Sequence, residues 1–383
     1  MIHPHDIWSV HAPWTSRIRN IAREFVKAGH AVRIVYFEDP AYQSCEPQED
    51  VFESFKLYQN KRYIFSNIAY ITKHAQWADV IHFQKCFPHA AIPAVYAHVV
   101  HNKPIHYDWD DWELQIYNYD PPCKIHGKFL EYIENILPRL VDTISVASER
   151  LRKRACELNF SKEKIYTAHV CADLELFYPK KADLQIKNKF NIHKPVVMYM
   201  GQLHGGQYVR LFIDAAVKVA KSHDVTFMIV GAGNREQLLI QHAIEQGLSK
   251  HLIFTGAVEH ETVPDYLSIA DVAVACFEDN ELTRSKSPLK IVEYLACGKA
   301  IVASDVGEVS RMLNGCGVLV EPGSVDSLVA GITQLLDDPR KRSCLEQQAR
   351  PRAEDAFSWS VTAKNILSAY DMARSFYNGT KTE

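Results

Sequence analysis

Apolar residues recur along this chain in two alternating patterns, as short continuous runs and as stretches with helical spacing. Residues 2–7 predict a short first strand, 9–16 a loop, and 17–28 a helix that ends at Gly29. The apolar run 31–37 then predicts a second strand. This succession of strand, loop, helix and strand is how a doubly wound α/β sheet begins.

The same alternation continues towards the middle of the chain, except at 40–77, where no single period dominates. It predicts strands at 78–84, 103–109 and 143–148, and helices at 88–100, 126–140 and 149–158. The charged segment 180–194, poor in large apolar residues, is predicted as a linker.

A second series of alternating elements follows this linker. Its predicted strands are 196–201, 225–233, 252–258, 271–277 and 300–303. The length of 383 residues also exceeds one ordinary core. We therefore predict an α/β chain with two Rossmann-like, doubly wound parallel sheets.

Composition narrows the class of protein. The chain is 47% hydrophobic and 23% charged with a net charge of −3, so it has no general positive field for nucleic acid. Its nine scattered cysteines include no C-x-x-C pair, which argues against a disulfide framework or a zinc site. No apolar run has the length of a spanning helix, and the first residues lack a signal-peptide layout. These features predict a cytoplasmic protein.

The stretch 284–307 is predicted to hold a helix followed by a strand. Ser287 is the expected N-cap, and Pro288 fits the first helical position, where a missing N–H is tolerated. Apolar residues from Leu289 onwards recur at helical spacing, and Gly298 is expected to end the helix.

Basic side chains surround the start of this helix. Arg284, Lys286 and Lys290 add charge to a helix start whose free N–H groups already favour an anion. Lys290 and Glu293 share one side of the helix, so a cation for phosphate lies one turn from a carboxylate for sugar hydroxyls. The alternative is an ordinary crossover helix with its charges on a solvated face.

The sequence SPLKIVEYLACGKAIVAS (287–304) resembles the donor-site helix of GT-B glycosyltransferases, in particular the large retaining family GT4. Glu293 matches the second Glu of that family's E-x7-E motif, whereas the first Glu is replaced by Ser285. The resemblance is strong over 195–335 and weaker over 1–178. It implies two Rossmann-like domains that face each other across a cleft: an acceptor-side domain at 1–178, on which a helix at 359–383 packs back, and a nucleotide-sugar domain at 179–358.

The resemblance also implies a donor site on the second domain, in which Glu293 binds the ribose of a nucleotide sugar. Two positions that carry Arg and Lys in relatives are Gln202 and Gln207 here, so Lys290, with Arg284 or Lys286, would have to neutralise the diphosphate. The other donor-site residues that it implies are Gly201, Ala257, Val258, Ser287, Pro288 and Leu289. Gly205 and Gly206 would let the backbone approach a phosphate closely, unless they form only a flexible turn.

An acceptor site is predicted on the first domain. His11, Trp14 and Ser16 lie in the loop after the first strand, where doubly wound sheets bind ligands. The alternative is an ordinary loop in which Trp14 is packed. The sequence DWDDW (108–112) ends a later strand, and Asp110 aligns with a His of relatives that lies near the reacting carbon. Asp110, or alternatively Asp108, would orient or deprotonate an acceptor hydroxyl, unless both are structural.

The two tryptophans of that loop, Trp109 and Trp112, are predicted to stack on a sugar ring. The D-x-D pattern is also the metal motif of the other glycosyltransferase fold, GT-A, but the chain lacks the layout of a single GT-A domain. Because Lys290 and helix-terminus groups are expected to stabilise the leaving diphosphate, no metal and no other cofactor are predicted.

These features predict a retaining glycosyltransferase of glycan or glycolipid biosynthesis that uses a nucleotide sugar, with UDP favoured over GDP. The acceptor, a glycan, a lipid-linked sugar or a small molecule, stays open. Basic faces at 17–27 and 150–154 permit peripheral contact with the inner face of a membrane, although solvated faces are the commoner explanation.

Two alternative functions remain. One is a UDP-sugar 2-epimerase of the same fold, and the other is a catalytically weak nucleotide-sugar-binding subunit, which the substitutions at Gln202, Gln207 and Ser285 favour. Nicotinamide-cofactor binding has little support, because Gly231-Ala-Gly233 lacks the third glycine of the dinucleotide fingerprint.

Overall fold

A computed structural model describes residues 1–9, 15–38, 48–119, 123–204 and 207–378. The predictions for His11, Trp14, Gly205 and Gly206 lie outside these residues. The chain divides into two compact units. The first unit comprises Met1–Val170, Ser285–Ser287 and Trp359–Glu383, and the second comprises Cys171–Arg284 and Pro288–Ser358.

The first unit has a doubly wound parallel sheet, as predicted. Its seven strands among the described residues are β1 (Ile2–His3), β2 (Arg33–Glu38), β3 (Glu53–Tyr58), β4 (Ile81–Gln84), β5 (Ile105–Trp109), β6 (Thr143–Val146) and β7 (Ile165–Thr167), in the order β3-β2-β1-β4-β5-β6-β7. The helices that connect them are α1 (Ser16–Lys27), α2 (Ile64–Trp77), α3 (Pro88–His101), α4 (Glu113–Tyr119), α5 (Lys124–Ile136) and α6 (Glu149–Glu157).

The strands of this sheet differ in burial according to their place in it. Every residue of β4, β5 and β6 is buried, which explains their continuous apolar runs in the sequence. By contrast, β3 pairs with β2 alone among the described strands and is mostly half-exposed or exposed, so its mixed sequence ESFKLY carries no clear period. This is why the sequence did not predict a strand at 53–58.

The second unit repeats the architecture, which confirms the second predicted sheet. Its six strands among the described residues are β8 (Val196–Met200), β9 (Thr226–Val230), β10 (Leu252–Phe254), β11 (Val272–Ala275), β12 (Ile301–Ser304) and β13 (Val318–Val320), in the order β10-β9-β8-β11-β12-β13. Its helices are α7 (Leu184–Lys189), α8 (Gln207–Val219), α9 (Glu236–Glu245), α10 (Val263–Ser268), α11 (Glu281–Ser285), α12 (Leu289–Ala296), α13 (Val309–Leu313), α14 (Val325–Asp337) and α15 (Pro339–Ala356).

The segment 180–194 is not the linker that the sequence predicts, because it contains α7. The Asp183 carboxylate caps this helix by accepting from the backbone N–H groups of Gln185 and Ile186. Just before α7, the Lys180 ammonium binds Asp265 at 2.7 Å.

The chain returns to the first unit with its last helix, α16 (Trp359–Asn378), which packs on α1, β6 and β7. The Tyr370 hydroxyl on this helix lies 2.7 Å from His82 Nδ1 on β4. Among the described residues, no helix combines the length and the apolar character that crossing a membrane requires.

In each sheet the strand order reverses at one place, between β1 and β4 in the first unit and between β8 and β11 in the second. The crevice at the carboxyl ends of such strands is where doubly wound sheets bind ligands. Each unit therefore offers one crevice at which to look for functional side chains.

In the second unit, backbone hydrogen bonds continue beyond the sheet and join three loops at this edge. Gly201 N donates to Val230 O at 3.0 Å, Leu203 N donates to Ala232 O at 3.0 Å, and Gly231 pairs with Gly256. Gly231 must lack a side chain, because a Cβ there would lie 2.1 Å from the carbonyl oxygen of Gly201.

Candidate functional site

The crevice of the second unit contains the predicted donor-site helix, α12. Helix α12 begins at Leu289 with Pro288 as its N-cap, so the expectation of Ser287 as N-cap and Pro288 as first helical residue is wrong. The reason is that Pro288 has an extended backbone (ψ 116°) rather than a helical one. Buried apolar side chains from Ile291 onwards hold α12 against the core.

Lys290 extends from α12 to the carboxyl end of β8. Its Nζ lies 3.9 Å from the ring centroid of Tyr199, and a Cβ added to Gly201 would lie 2.9 Å from it. Gly201 also has a left-handed φ of 142°, so any side chain there would strain the backbone and displace the ammonium. The structure thus brings together Lys290 and Gly201, two of the predicted donor-site residues.

Glu293 lies one turn further along α12 and is 5% exposed. Its Oε1 is 3.1 Å from Nε2 of His260, in the loop after β10. Burial raises the pKa of Glu293, and the bond from His260 only partly opposes this effect. For His260, burial disfavours the charged ring, but the hydrogen bond and charge of Glu293 outweigh it, so the pKa of His260 is also raised.

The other predicted donor-site side chains are less closely associated with Lys290. Arg284 forms a surface ion pair with Asp279, at 2.6 and 2.9 Å, and a longer one with Glu281. Gln202 is exposed, and Gln207 begins α8. After β10, Ala257 is exposed and Val258 half-buried, while Ser287 is buried before α12. Lys290 therefore lies at the carboxyl end of β8, whereas Arg284 is engaged in ion pairs at the surface.

In the first unit, Asp108 is the second-last residue of β5 and is completely buried. Arg17 of α1 binds both of its oxygens at 2.8 Å, and the Ser145 hydroxyl donates to it at 2.6 Å. Burial opposes ionisation, but Arg17 more than compensates and lowers the pKa of Asp108. Arg17 also donates to the carbonyls of Ala168 and His169, so the pair ties α1 to the segment after β7.

Asp110 follows β5 and is 6% exposed. Its Oδ2 accepts a hydrogen bond of 2.9 Å from Gln84, whose Oε1 is in turn 2.9 Å from Nδ1 of His3. Its Oδ1 has no hydrogen-bond partner, although the Lys85 ammonium lies 3.5 Å away. Burial raises the pKa of Asp110 to about 7 despite the nearby ammonium, which is a suitable value for a general base.

A cluster of three carboxylates surrounds Lys85, which directly follows β4. The ammonium is 3.1 Å from Asp111 Oδ2 and 2.5 Å from Glu113 Oε1, in addition to its contact with Asp110. Oxygens of the three acidic residues lie within 4.8 Å of one another, which is close enough to hold a metal ion. We name Lys85, Asp110, Asp111 and Glu113 the Lys85 cluster.

The prediction that Trp109 and Trp112 stack on a sugar is wrong. Trp109 is fully buried in the core, where its indole N–H donates to Glu134 at 3.0 Å. Trp112 is 6% exposed, and the guanidinium groups of Arg150 and Arg154 lie over its ring. Neither ring therefore offers a face to a ligand.

The remaining acceptor-side residue, Ser16, is the half-buried first residue of α1. Sequence reasoning missed Lys85 and Gln84 in the first unit and His260 in the second. Both Gln84 and Lys85 stand at the carboxyl end of a predicted strand, which is the signal that points to them. His260 carries no such signal, since its partner Glu293 is distant in sequence.

Two family models match the chain. Residues 180–352 match "Glycosyl transferases group 1", and residues 15–176 match "Glycosyltransferase Family 4". Among curated proteins, the alpha-D-kanosaminyltransferase of Streptomyces kanamyceticus is 26% identical over 180 residues, which is 46% of this chain and 45% of that protein. The MMP alpha-(1->4)-mannosyltransferase of Mycolicibacterium hassiacum is 26% identical over 64% of this chain and 57% of its own length. The chain spans about half the length of the curated relatives it matches.

Solved structures resemble nearly the whole chain. Sucrose-phosphate synthase from Thermosynechococcus elongatus superposes with a TM-score of 0.71 at 18% identity and covers 99% of both chains. HepE from Anabaena, in complex with UDP, has a TM-score of 0.73 at 15% identity and covers 97% of this chain and 99% of its own. At these identities the comparison shows the fold, which is GT-B as predicted.

Proposed function

The chain belongs to the GT4-type glycosyltransferases of the GT-B fold, and from that premise we propose that it transfers a sugar from a nucleotide diphosphate sugar to an acceptor hydroxyl. One observation carries this proposal. Helix α12 places the Lys290 ammonium at the carboxyl end of β8 and the Glu293 carboxylate one turn away. A cation and a carboxylate at this spacing suit a phosphate and a ribose.

In the reaction that we propose, the bond from the anomeric carbon to the diphosphate breaks and a bond from the same carbon to the acceptor oxygen forms. Lys290 stabilises the charge that develops on the leaving diphosphate, so no metal ion is needed for that role. Asp110 Oδ1, which has no hydrogen-bond partner, accepts the proton of the acceptor hydroxyl. Asp108 is less suited to this role, because Arg17 and Ser145 already bind its oxygens.

The nucleotide and the stereochemistry are further parts of the proposal. We propose UDP, with which HepE was crystallised, rather than GDP. We also propose retention of configuration, which the GT4 resemblance implies; in the single displacement described above, retention requires the acceptor oxygen to attack the anomeric carbon from the face that the diphosphate leaves. The acceptor is a glycan, a lipid-linked sugar or a small molecule, and we place the protein in the cytoplasm or at the inner face of the membrane.

A second candidate is a nucleotide-sugar-binding subunit with little activity. It is favoured by the neutral, exposed Gln202 and by Ser285, which is fully buried at the position of the family's first Glu. Under this alternative, Lys290 and Glu293 would still bind the nucleotide, but transfer would be slow.

Incubation with radiolabelled UDP-glucose or UDP-N-acetylglucosamine, without an acceptor, tests the function. A transferase hydrolyses the donor slowly, a 2-epimerase converts it to an isomeric UDP-sugar, and a binding subunit leaves it unchanged. Parallel titration calorimetry with UDP, GDP and ADP identifies the nucleotide. Failure of all three nucleotides to bind would reject the proposal and its binding-subunit alternative together.

Glu293→Gln is expected to weaken UDP binding about tenfold while the melting temperature changes little, because the amide replaces one charge-assisted bond to the ribose by a neutral one. Calorimetry measures the affinity. Glu261→Gln is the matched control, since it removes an exposed carboxylate beside His260 without touching α12. Unchanged UDP and GDP affinity in Glu293→Gln would remove Glu293 from the site.

A further inference from the structure

Lys85 combines two features that are costly for a lysine. Its backbone is left-handed, with a φ of 64°, a conformation that non-glycine residues adopt at an energetic cost and often at functional sites. Its side chain is also only 5% exposed, although a buried ammonium loses its hydration. Both costs have to be offset by what the ammonium contacts.

These contacts come from one short segment, the turn from β5 into α4. The ammonium reaches Asp110 at 3.5 Å, Asp111 at 3.1 Å and Glu113 at 2.5 Å, so a single cation binds three acidic side chains. The turn is fixed from its other side as well. Glu134 of α5 accepts hydrogen bonds from the Trp109 indole and from the backbone N–H groups of Glu113 and Leu114.

The charges around Asp110 come from every element packed against it. Besides the Lys85 cluster itself, the titratable groups that interact electrostatically with Asp110 or with another member of the cluster are His3, Arg17, Cys86, Tyr107, Asp108, Glu134 and Lys286. Arg17 is committed to Asp108 through two short bonds. Lys85 is therefore the cation that both contacts Asp110 and opposes the effect of burial on its carboxylate.

The position of the Lys85 ammonium also explains how the turn from β5 into α4 can hold three neighbouring carboxylates. Three carboxylates with oxygens within 4.8 Å of one another could hold a divalent cation. Here the Lys85 ammonium contacts all three, and a lysine is a compact point charge that suits this position. The side chain thus occupies the place among the acidic groups that a metal ion would take.

We propose that Lys85 is the positioning residue of the acceptor site: its ammonium serves as a built-in cation that orders the turn 110–113 and favours the ionised form of Asp110, so that Oδ1, which has no hydrogen-bond partner, can accept from an acceptor hydroxyl. The role of Asp110 as base rests on the proposed function. The electrostatic coupling of Lys85 to the three carboxylates stands without it.

The test compares Lys85→Gln, Lys85→Arg and the control Lys56→Gln, which removes a half-exposed lysine of β3 that pairs loosely with Glu38. UDP affinity is expected to stay within twofold of wild type in all three, because the donor site is in the second unit. Turnover is measured from pH 5.5 to 9.5 with the UDP-sugar that the wild type uses.

We expect Lys85→Gln to lose about tenfold or more in turnover at pH 7 and to recover part of it at higher pH. The reason is that the acidic limb of its turnover-against-pH profile moves up by about one pH unit or more when the ammonium is removed. Lys85→Arg should lie nearer the wild type, since it restores the charge. A purely structural role would lower turnover at every pH and leave the acidic limb in place, and that result would overturn the proposal.

Stability against pH provides a readout that does not need activity. Without Lys85, the folded-state pKa values of Asp110 and Glu113, which burial already raises, are expected to rise further above their unfolded values, so the folded state holds extra protons. The free energy of unfolding of Lys85→Gln should then fall more steeply than that of the wild type as the pH rises from about 4 to 8. Equal slopes would reject the coupling, whereas a wild type that neither transfers nor hydrolyses any UDP-sugar would reject only the proposed function.

Discussion

Turnover is expected to fall on the order of a hundredfold or more in Asp110→Asn, with little change in UDP affinity. The amide keeps the shape of the carboxylate and an oxygen that can accept from Gln84, so the turn after β5 should be retained. What it loses is the capacity of Oδ1 to accept a proton. UDP affinity should not change, because Lys290 and Glu293 belong to the other unit.

The informative measurements are turnover and UDP affinity on the same variant, with Asp79→Asn as the control. Asp79 is an exposed carboxylate just before β4, so its change matches the charge lost at Asp110 without altering the site. Normal turnover in Asp110→Asn would reject Asp110 as the base and direct attention to Asp108. Lost UDP affinity would instead mean that this turn contacts the nucleotide.

Asp108 can be tested separately, because its environment differs. Asp108→Asn would leave the buried Arg17 guanidinium without its carboxylate, so its first effect should be on stability. If Asp110→Asn loses turnover and keeps its melting temperature, whereas Asp108→Asn loses stability, then Asp110 is the catalytic carboxylate and Asp108 the structural one.

Lys290→Ala should weaken UDP binding by up to about a hundredfold, since a charge-assisted hydrogen bond to phosphate contributes about 1.5–3 kcal/mol. Uridine, which lacks the diphosphate, should lose no more than about threefold. The expectation follows from the position of the ammonium over Tyr199 and beside Gly201, at the carboxyl end of β8. Gln202 and Gln207, which the resemblance matches to cationic positions of the family, are neutral in this chain.

Titration calorimetry with UDP and uridine on the same preparations measures both losses. Lys250→Ala is the control, because Lys250 is an exposed lysine of the second unit in the turn before β10. The UDP affinity of the wild type should also fall with added salt more than that of Lys290→Ala. Equal losses for UDP and uridine would contradict a role in binding the diphosphate and would imply that Lys290 supports the site through packing on Tyr199.

The sequence predicts those parts of the structure that leave a local pattern of apolar residues, and it misses those that do not. The buried strands β4, β5 and β6 are recognisable because both faces of a central parallel strand are covered, which produces continuous apolar runs. Strand β3 was missed because an edge strand has no such constraint. The start of α12 was misplaced by one residue because Pro288 is compatible with both the N-cap and the first helical position.

The candidate site was harder to predict, because its properties arise from tertiary contacts. Nothing in the local sequence indicates that Lys85 is buried among three carboxylates, or that His260 meets Glu293. For the aromatic rings of the DWDDW segment, the local sequence did indicate a site, but the indication was wrong. Trp109 and Trp112 fit a sugar-binding loop in sequence, yet burial in the core and cation–π contacts with Arg150 and Arg154 account for them.

The backbone bonds that join the three loops after β8, β9 and β10 have a consequence for protein engineering. The loop expected to lie near the diphosphate begins at Gly201, and the loop expected to meet the base includes Gly256. The chain at Val230 and Gly231 joins them, because Val230 O accepts from Gly201 N and Gly231 N donates to Gly256 O. Directed evolution of nucleotide preference that varies one loop at a time would therefore disturb the other. Libraries should vary the outward-facing positions of both loops together and leave the three glycines unchanged.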